Sequence, residues 1–89
     1  MLRGFLGLCA LLALSPSVLA EPTCIVDDPT PTPLNVRSAP YGVITGTLGN
    51  GLPVTVLDHA VDSRGKAWVY VALDGQPKGW VFRDYIDCR

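Results

Sequence analysis

The 89-residue chain offers one histidine, three cysteines and two tryptophans among its chemically distinctive side chains. His59 stands in the run Asp58-His59-Ala60-Val61-Asp62-Ser63, so an imidazole, two carboxylates and a hydroxyl fall close together. A hydrolytic triad needs such groups held at fixed hydrogen-bond distances, beside donors that stabilise an oxyanion. Neighbours in one polar loop are not held that way, and no oxyanion-stabilising glycine motif accompanies them. Asp58 to Lys66 therefore reads as a solvated loop, and no enzyme is expected. The same loop carries Asp58, Asp62, Arg64 and Lys66, but it lacks the alternating oxygen ligands and terminal glutamate of a calcium loop. No metal site and no cofactor is expected.

The cysteines depend on where the mature chain begins. Met1-Leu2-Arg3 gives a short cationic start, Gly4 to Leu14 an apolar run, Ser15-Pro16 a breaker and Val18-Leu19-Ala20 a small-residue cleavage pattern. Residues 1–20 thus read as a secretory signal peptide cleaved near Ala20. The apolar run falls short of the roughly 20 residues that span a bilayer, so no membrane span is expected in the mature chain. No twin arginine precedes it, and neither Cys9 nor Cys24 follows the small-residue tripeptide of a lipoprotein. The expected product starts at Glu21 and is periplasmic or secreted. Cys9 is lost with the leader, and in an oxidising compartment Cys24 and Cys88 read as one disulfide. A crosslink closing nearly the whole chain removes about 4 kcal/mol of unfolded-state entropy, which matters in a domain too small to bury a large core. The absence of CxxC spacing and the single histidine argue against a redox or metal-binding pair.

Seven Lys and Arg against eight Asp and Glu give a net charge of minus one, and the loss of Arg3 with the leader makes it minus two. No basic stripe of the kind a phosphate backbone requires is present. Nucleic acid is excluded as a partner, and the oligomeric state is not written in the composition.

The elements that must position the aromatic residues are short strands. Residues 21–33 form a proline-rich lead-in, with Pro29, Pro31 and Pro33 alternating with threonine and favouring an extended, polyproline-like path. Such a segment could also serve as a ligand for an aromatic groove. Beyond it, Leu34 and Val36 alternate with Asn35 and Arg37, Val43 to Leu48 is β-branched, and Gly49-Asn50-Gly51 signals a reversal. Val54 to Leu57 alternates again, Trp68 to Leu73 follows the polar loop, and Gly79-Trp80-Val81-Phe82 precedes Arg83-Asp84-Tyr85-Ile86, where a short 3₁₀ turn fits. Five short strands at regular spacing predict an all-β fold, a small closed or nearly closed barrel.

The ordered pieces LNVRSAP (Leu34 to Pro40), VITGTLGNG, KAWVYV and GWVFRDYI resemble the bacterial SH3-like (SH3b) domains, with the likeness covering Leu34 to Ile86. The domain is taken as residues 34–89, tied back to Cys24 by the disulfide. The resemblance implies a five-stranded SH3-like barrel with Leu34, Val36, Val54, Val56, Val69, Val71, Val81 and Ile86 inside. It implies ligand-binding positions at Trp68, Trp80, Phe82 and Tyr85, along one surface groove. Two readings of the tryptophans stand at this point: a groove, in which case both are partly exposed and adjacent, or plain packing over the barrel end.

Departures from the eukaryotic pattern matter too. The tyrosine-bearing ALYDY segment is replaced by LNVRSAP, and Ser38 to Thr47 has no acidic residue to orient an arginine, which argues against PxxP recognition. Bacterial relatives are associated with peptidoglycan peptides and envelope proteins. The function expected is therefore an exported, non-catalytic binding module of the cell envelope whose partner is a cell-wall peptide or an envelope protein. The alternative is a small secreted inhibitor or accessory subunit acting through the loops Asp58 to Lys66 and Asp74 to Pro77.

Overall fold

The computed structural model describes residues 23–30 and 32–88. The expected signal peptide, its cleavage site and Cys9 lie outside the described residues. Among the described residues there are seven strands: β1 (Thr23–Val26), β2 (Leu34–Arg37), β3 (Ile44–Leu48), β4 (Pro53–Val61), β5 (Ala67–Leu73), β6 (Gln76–Phe82) and β7 (Ile86–Cys88). A 3₁₀ turn, Arg83–Tyr85, leads into β7. The strands form one sheet in the order β3-β2-β6-β5-β4-β1-β7, and all its pairings are antiparallel.

The all-β class and the 3₁₀ turn match the expectation from sequence, while the count of five strands is corrected to seven in a sheet curled as a half-barrel. The reason lies at the two ends of the chain. Thr23-Cys24-Ile25-Val26 precedes the prolines, so its N–H groups are free to join a ladder, and its even positions are buried. It enters between β4 and β7, with Cys24 opposite both Val54 and Cys88. Part of the expected lead-in is therefore sheet. The Cys24–Cys88 disulfide joins directly paired residues, with Cα atoms 4.3 Å apart across a sequence separation of 64, so the staple between the chain ends also holds β1 in register.

A second correction concerns the polar loop. The β4 strand continues through Asp58, His59 and Ala60, which pair with Tyr70, Val69 and Trp68, and a bulge at Leu57 shifts the register between Val56 and Asp58. The loop is thus only the turn after Val61, and His59 is an exposed strand residue. Polar composition hid this, because an outward-facing stretch of strand needs no apolar side chains.

The eight residues expected inside are all buried, joined by Cys24, Val26 and Leu48. Val69, Val71 and Val81, at 0 % exposure, form the centre across β5 and β6; each fully buried side chain of this size contributes about 1.5–3 kcal/mol. Close packing between β2 and β6 requires a glycine. At Gly79, where φ is +146°, a Cβ would stand 2.6 Å from the Arg37 carbonyl oxygen and 2.8 Å from Val36 Cγ1.

After β1 the chain is pinned by Asn50. Its Oδ1 accepts from the Asp28 N–H at 2.6 Å and its Nδ2 donates to the Asp28 carbonyl at 2.9 Å, so one amide side chain imitates a strand neighbour. The Asp27 N–H adds a bond to the Tyr85 carbonyl at 2.8 Å. These contacts fix Asp27 and Asp28 beside the Asn50 turn and the 3₁₀ turn.

Candidate functional site

The β5 strand is apolar on both faces because both are covered. Val69 and Val71 point into the core, while Trp68 and Tyr70 alternate to the outer face. There Trp68 pairs across to Phe82, and Tyr70 to Trp80. The outer face thus carries a ring cluster and a ring pair: Trp68 and Phe82 have centroids 4.2 Å apart, Tyr70 and Trp80 5.4 Å. Tyr85 meets Phe82 edge-on at 5.9 Å.

Tyr41 closes the cluster from above. Its ring meets Trp68 at 5.1 Å and Phe82 at 5.7 Å, both edge-on, and the Arg64 guanidinium lies 4.7 Å over its other side. The turn that presents it is held by the Ser38 N–H to Val43 carbonyl bond and by Arg37 Nη1 donating to the Gly42 carbonyl at 2.9 Å. Tyr41 itself takes φ 58°, a left-handed conformation that costs a non-glycine residue of order 1 kcal/mol and persists because surrounding contacts hold it. From sequence Arg37 is only a strand residue, and the turn signal of Pro40-Tyr41-Gly42 marks the place of Tyr41 but not its ring's direction.

Trp68 is consequently 1 % exposed: of the two readings of the tryptophans, partial exposure fails for Trp68, which packs as the floor beneath Tyr41. Its indole N–H donates to Asp62 Oδ2 at 2.8 Å. The other oxygen of Asp62 accepts from the backbone N–H groups of Arg64 at 2.8 Å and Lys66 at 3.0 Å. One carboxylate therefore shapes the turn after β4 and fixes the indole angle. Desolvation pushes this carboxyl up, but the Trp68 indole, the two backbone N–H groups and the Arg64 charge outweigh it, and Asp62 lies below its ordinary value. Sequence reasoning gave Asp62 no part in the site; an aspartate shortly before a turn glycine marks an Asx-type turn, and that signal points to the loop, not to the indole.

A groove of about 170 Å³ runs beside this cluster, with Thr30, Thr32 and Pro33 also in its lining. Trp68, Phe82 and Tyr85 line its apolar side; Asp28, Asn35 and Arg37 line its polar side. Phe82 and Tyr85 are half-buried. Of the four expected groove residues, three are thus brought together. Trp80, half-buried, sits one pair further along with Tyr70 and beside Arg37 across β2, and does not line the groove. A second depression of about 230 Å³ at the β3 edge, lined by residues such as Thr45, Thr47, Leu52, Leu73 and Lys78, has no aromatic wall.

His59 is exposed, and its own N–H binds Asp58 Oδ1 at 2.7 Å, so that carboxylate engages the backbone rather than the ring. Among the described residues no group of three or more His, Cys, Asp or Glu side chains could hold a metal ion, and no helix is long and apolar enough to cross a membrane.

Comparison with protein families matches the chain to the bacterial SH3 domain over residues 32–87. No curated protein and no solved structure matches the chain. The match begins after β1, so Cys24, Asp28 and Thr30 lie outside it.

Proposed function

The chain belongs to the bacterial SH3 domain family, and from that premise we propose that it is an exported, non-catalytic binding module of the cell envelope that recognises a peptidoglycan-type peptide through the groove beside Trp68. The observation that carries this is the groove itself: Phe82 and Tyr85 share the lining of a space of about 170 Å³ with the polar residues Asp28, Asn35 and Arg37. Aromatic rings give contact area at little rotamer cost, and polar groups opposite them fix orientation. Trp68 contributes as a rigid floor. Phe82, Tyr85 and the strand residues Asn35 and Arg37 make the contacts, with Trp80 extending the surface past Arg37. Export is supported by the Cys24–Cys88 bond, since disulfides persist in oxidising compartments.

The burial of Trp68 and the ordering of its neighbouring turn by Asp62 support a second reading, an inhibitor or accessory subunit that presents the loop tips at Ser63 to Lys66 and Asp74-Gly75 to a protein. Sedimentation of the oxidised protein with purified peptidoglycan separates the two. Groove recognition requires binding that Tyr85→Ala weakens and Arg64→Ala leaves intact; binding by neither protein to the wall rejects the wall-peptide reading.

A further inference from the structure

Two opposite charges line the groove without meeting each other. Asp28 is 7 % exposed. Its Oδ1 accepts from the Thr30 N–H at 2.8 Å and the Thr30 hydroxyl at 2.7 Å, while Oδ2 has no hydrogen-bond partner among the described residues. The adjoining segment cannot supply one from its prolines, since Pro29, Pro31 and Pro33 have no N–H. Arg37, half-buried, spends Nη1 on the Gly42 carbonyl; its remaining donors have no partner among the described residues, and the single ion pair there joins Lys66 to Asp84.

A buried carboxylate with an unmet oxygen and a half-buried guanidinium with unmet donors are costly unless something completes them. A direct Asp28–Arg37 pair would do so, yet they stay apart on the walls of one groove. The occupant that satisfies both carries a carboxylate for the arginine fork and an ammonium for Asp28. The groove, at about 170 Å³, is smaller than the 300–1,000 Å³ of sites for drug-sized ligands, which suits one or two small residues lying against Phe82 and Tyr85.

We infer that the groove selects a zwitterionic unit, a free amino acid or a short peptide with both termini unblocked, whose carboxylate binds Arg37 and whose ammonium binds Asp28. This rests on the groove being the binding surface and adds the ligand class. Asp28 lies before the family match begins, so the ammonium half of the subsite belongs to this chain's own N-terminal addition to the domain.

The test is an NMR titration of ¹⁵N-labelled, oxidised protein with alanyl-alanine, its N-acetyl form and its C-terminal amide. The free dipeptide is expected to shift the Trp68 indole, Phe82 and Tyr85 signals, and each capped form to bind about tenfold or more weakly, the scale of one charge-assisted hydrogen bond. Arg37→Gln should erase the preference for acid over amide, and Asp28→Asn that for amine over acetyl. Equal binding of the three peptides, or no shift at the groove, overturns the inference, and because those titrations use the native protein they hold even where a variant folds poorly. If the protein still sediments with peptidoglycan in that case and Tyr85→Ala weakens the binding, the groove reading stands and only the charge assignment falls. Dipeptide binding without sedimentation would instead reject the wall-peptide reading and keep the zwitterion subsite.

Discussion

Reducing the Cys24–Cys88 bond should cost this domain most of its stability. The bond spans a sequence separation of 64, and closing a loop of that length lowers unfolded-state entropy by about 4 kcal/mol at room temperature. Small domains of this kind hold about 5–15 kcal/mol in all, so the loss is a large share. Structure adds a second contribution in the same direction. The β1 strand is held between β4 and β7 by a few ladder bonds and by Cys24 and Val26 in the core, and without the staple it can fray from the chain end. For a domain of 60–100 residues each kcal/mol shifts the midpoint by about 4–8 °C, which puts the expected drop at roughly 15–30 °C. Thermal unfolding followed by circular dichroism, with and without reductant and in the Cys24→Ser/Cys88→Ser double variant, measures it. A midpoint that moves by less than about 5 °C in both cases would refute the entropic account and the place given to β1.

Three further outcomes are expected. Gly79→Ala should destabilise by about 2–4 kcal/mol, because its Cβ meets the Arg37 carbonyl at 2.6 Å and its φ of +146° is strained for alanine; a urea midpoint unchanged from the native protein would contradict the tight β2–β6 approach. Trp68→Ala should cost about 3–5 kcal/mol as a floor residue 1 % exposed, whereas Tyr85→Ala, half-buried at the groove edge, should cost far less; equal losses would undo the distinction between floor and rim. The Asp62 carboxyl lies below its ordinary 3.8 in the folded state, so the unfolded chain binds more protons than the native one between the two values. Its stabilisation is then complete above the ordinary value and disappears as pH falls through the lowered one. Melting the native protein and Asp62→Asn from pH 6 down to pH 2 should show a gap that narrows below about pH 4; a gap constant with pH would remove Asp62 from the account.

Part of the interior was legible from period-2 alternation in Leu34 to Arg37 and Val54 to Leu57, which depends only on which face of a strand is dry; in the doubly apolar Trp68 to Val71 only the family resemblance placed Val69 and Val71 inside. The 3₁₀ turn at Arg83–Tyr85 was legible from the order of residues in GWVFRDYI. Strand β1 was not, since four residues beside a run of prolines carry too little pattern, and it is their pairing with β4 and β7, Cys24 opposite both Val54 and Cys88, that makes them a strand. Polar Asp58-His59 concealed the second half of β4 for the related reason that a solvated face shows no hydrophobic period. At the site, the residue types were right and their roles were not. Trp68 and Trp80 are equally plain in the sequence, but what buries the first is the Tyr41 ring and the Asp62 hydrogen bond, contacts 27 and 6 residues away in the chain. The charges of Asp28 and Arg37 gave no signal at all, because two isolated residues at ordinary positions acquire meaning only when the lead-in folds across the sheet.

The measurement that tests the central claim most directly is co-sedimentation of the oxidised protein with purified peptidoglycan, comparing the native chain with Tyr85→Ala and Arg37→Gln, each first confirmed folded by circular dichroism. Native protein in the pellet and both variants largely in the supernatant is the expected result. Native protein that stays in the supernatant, or variants that sediment as the native protein does, would contradict the claim that this groove binds the wall.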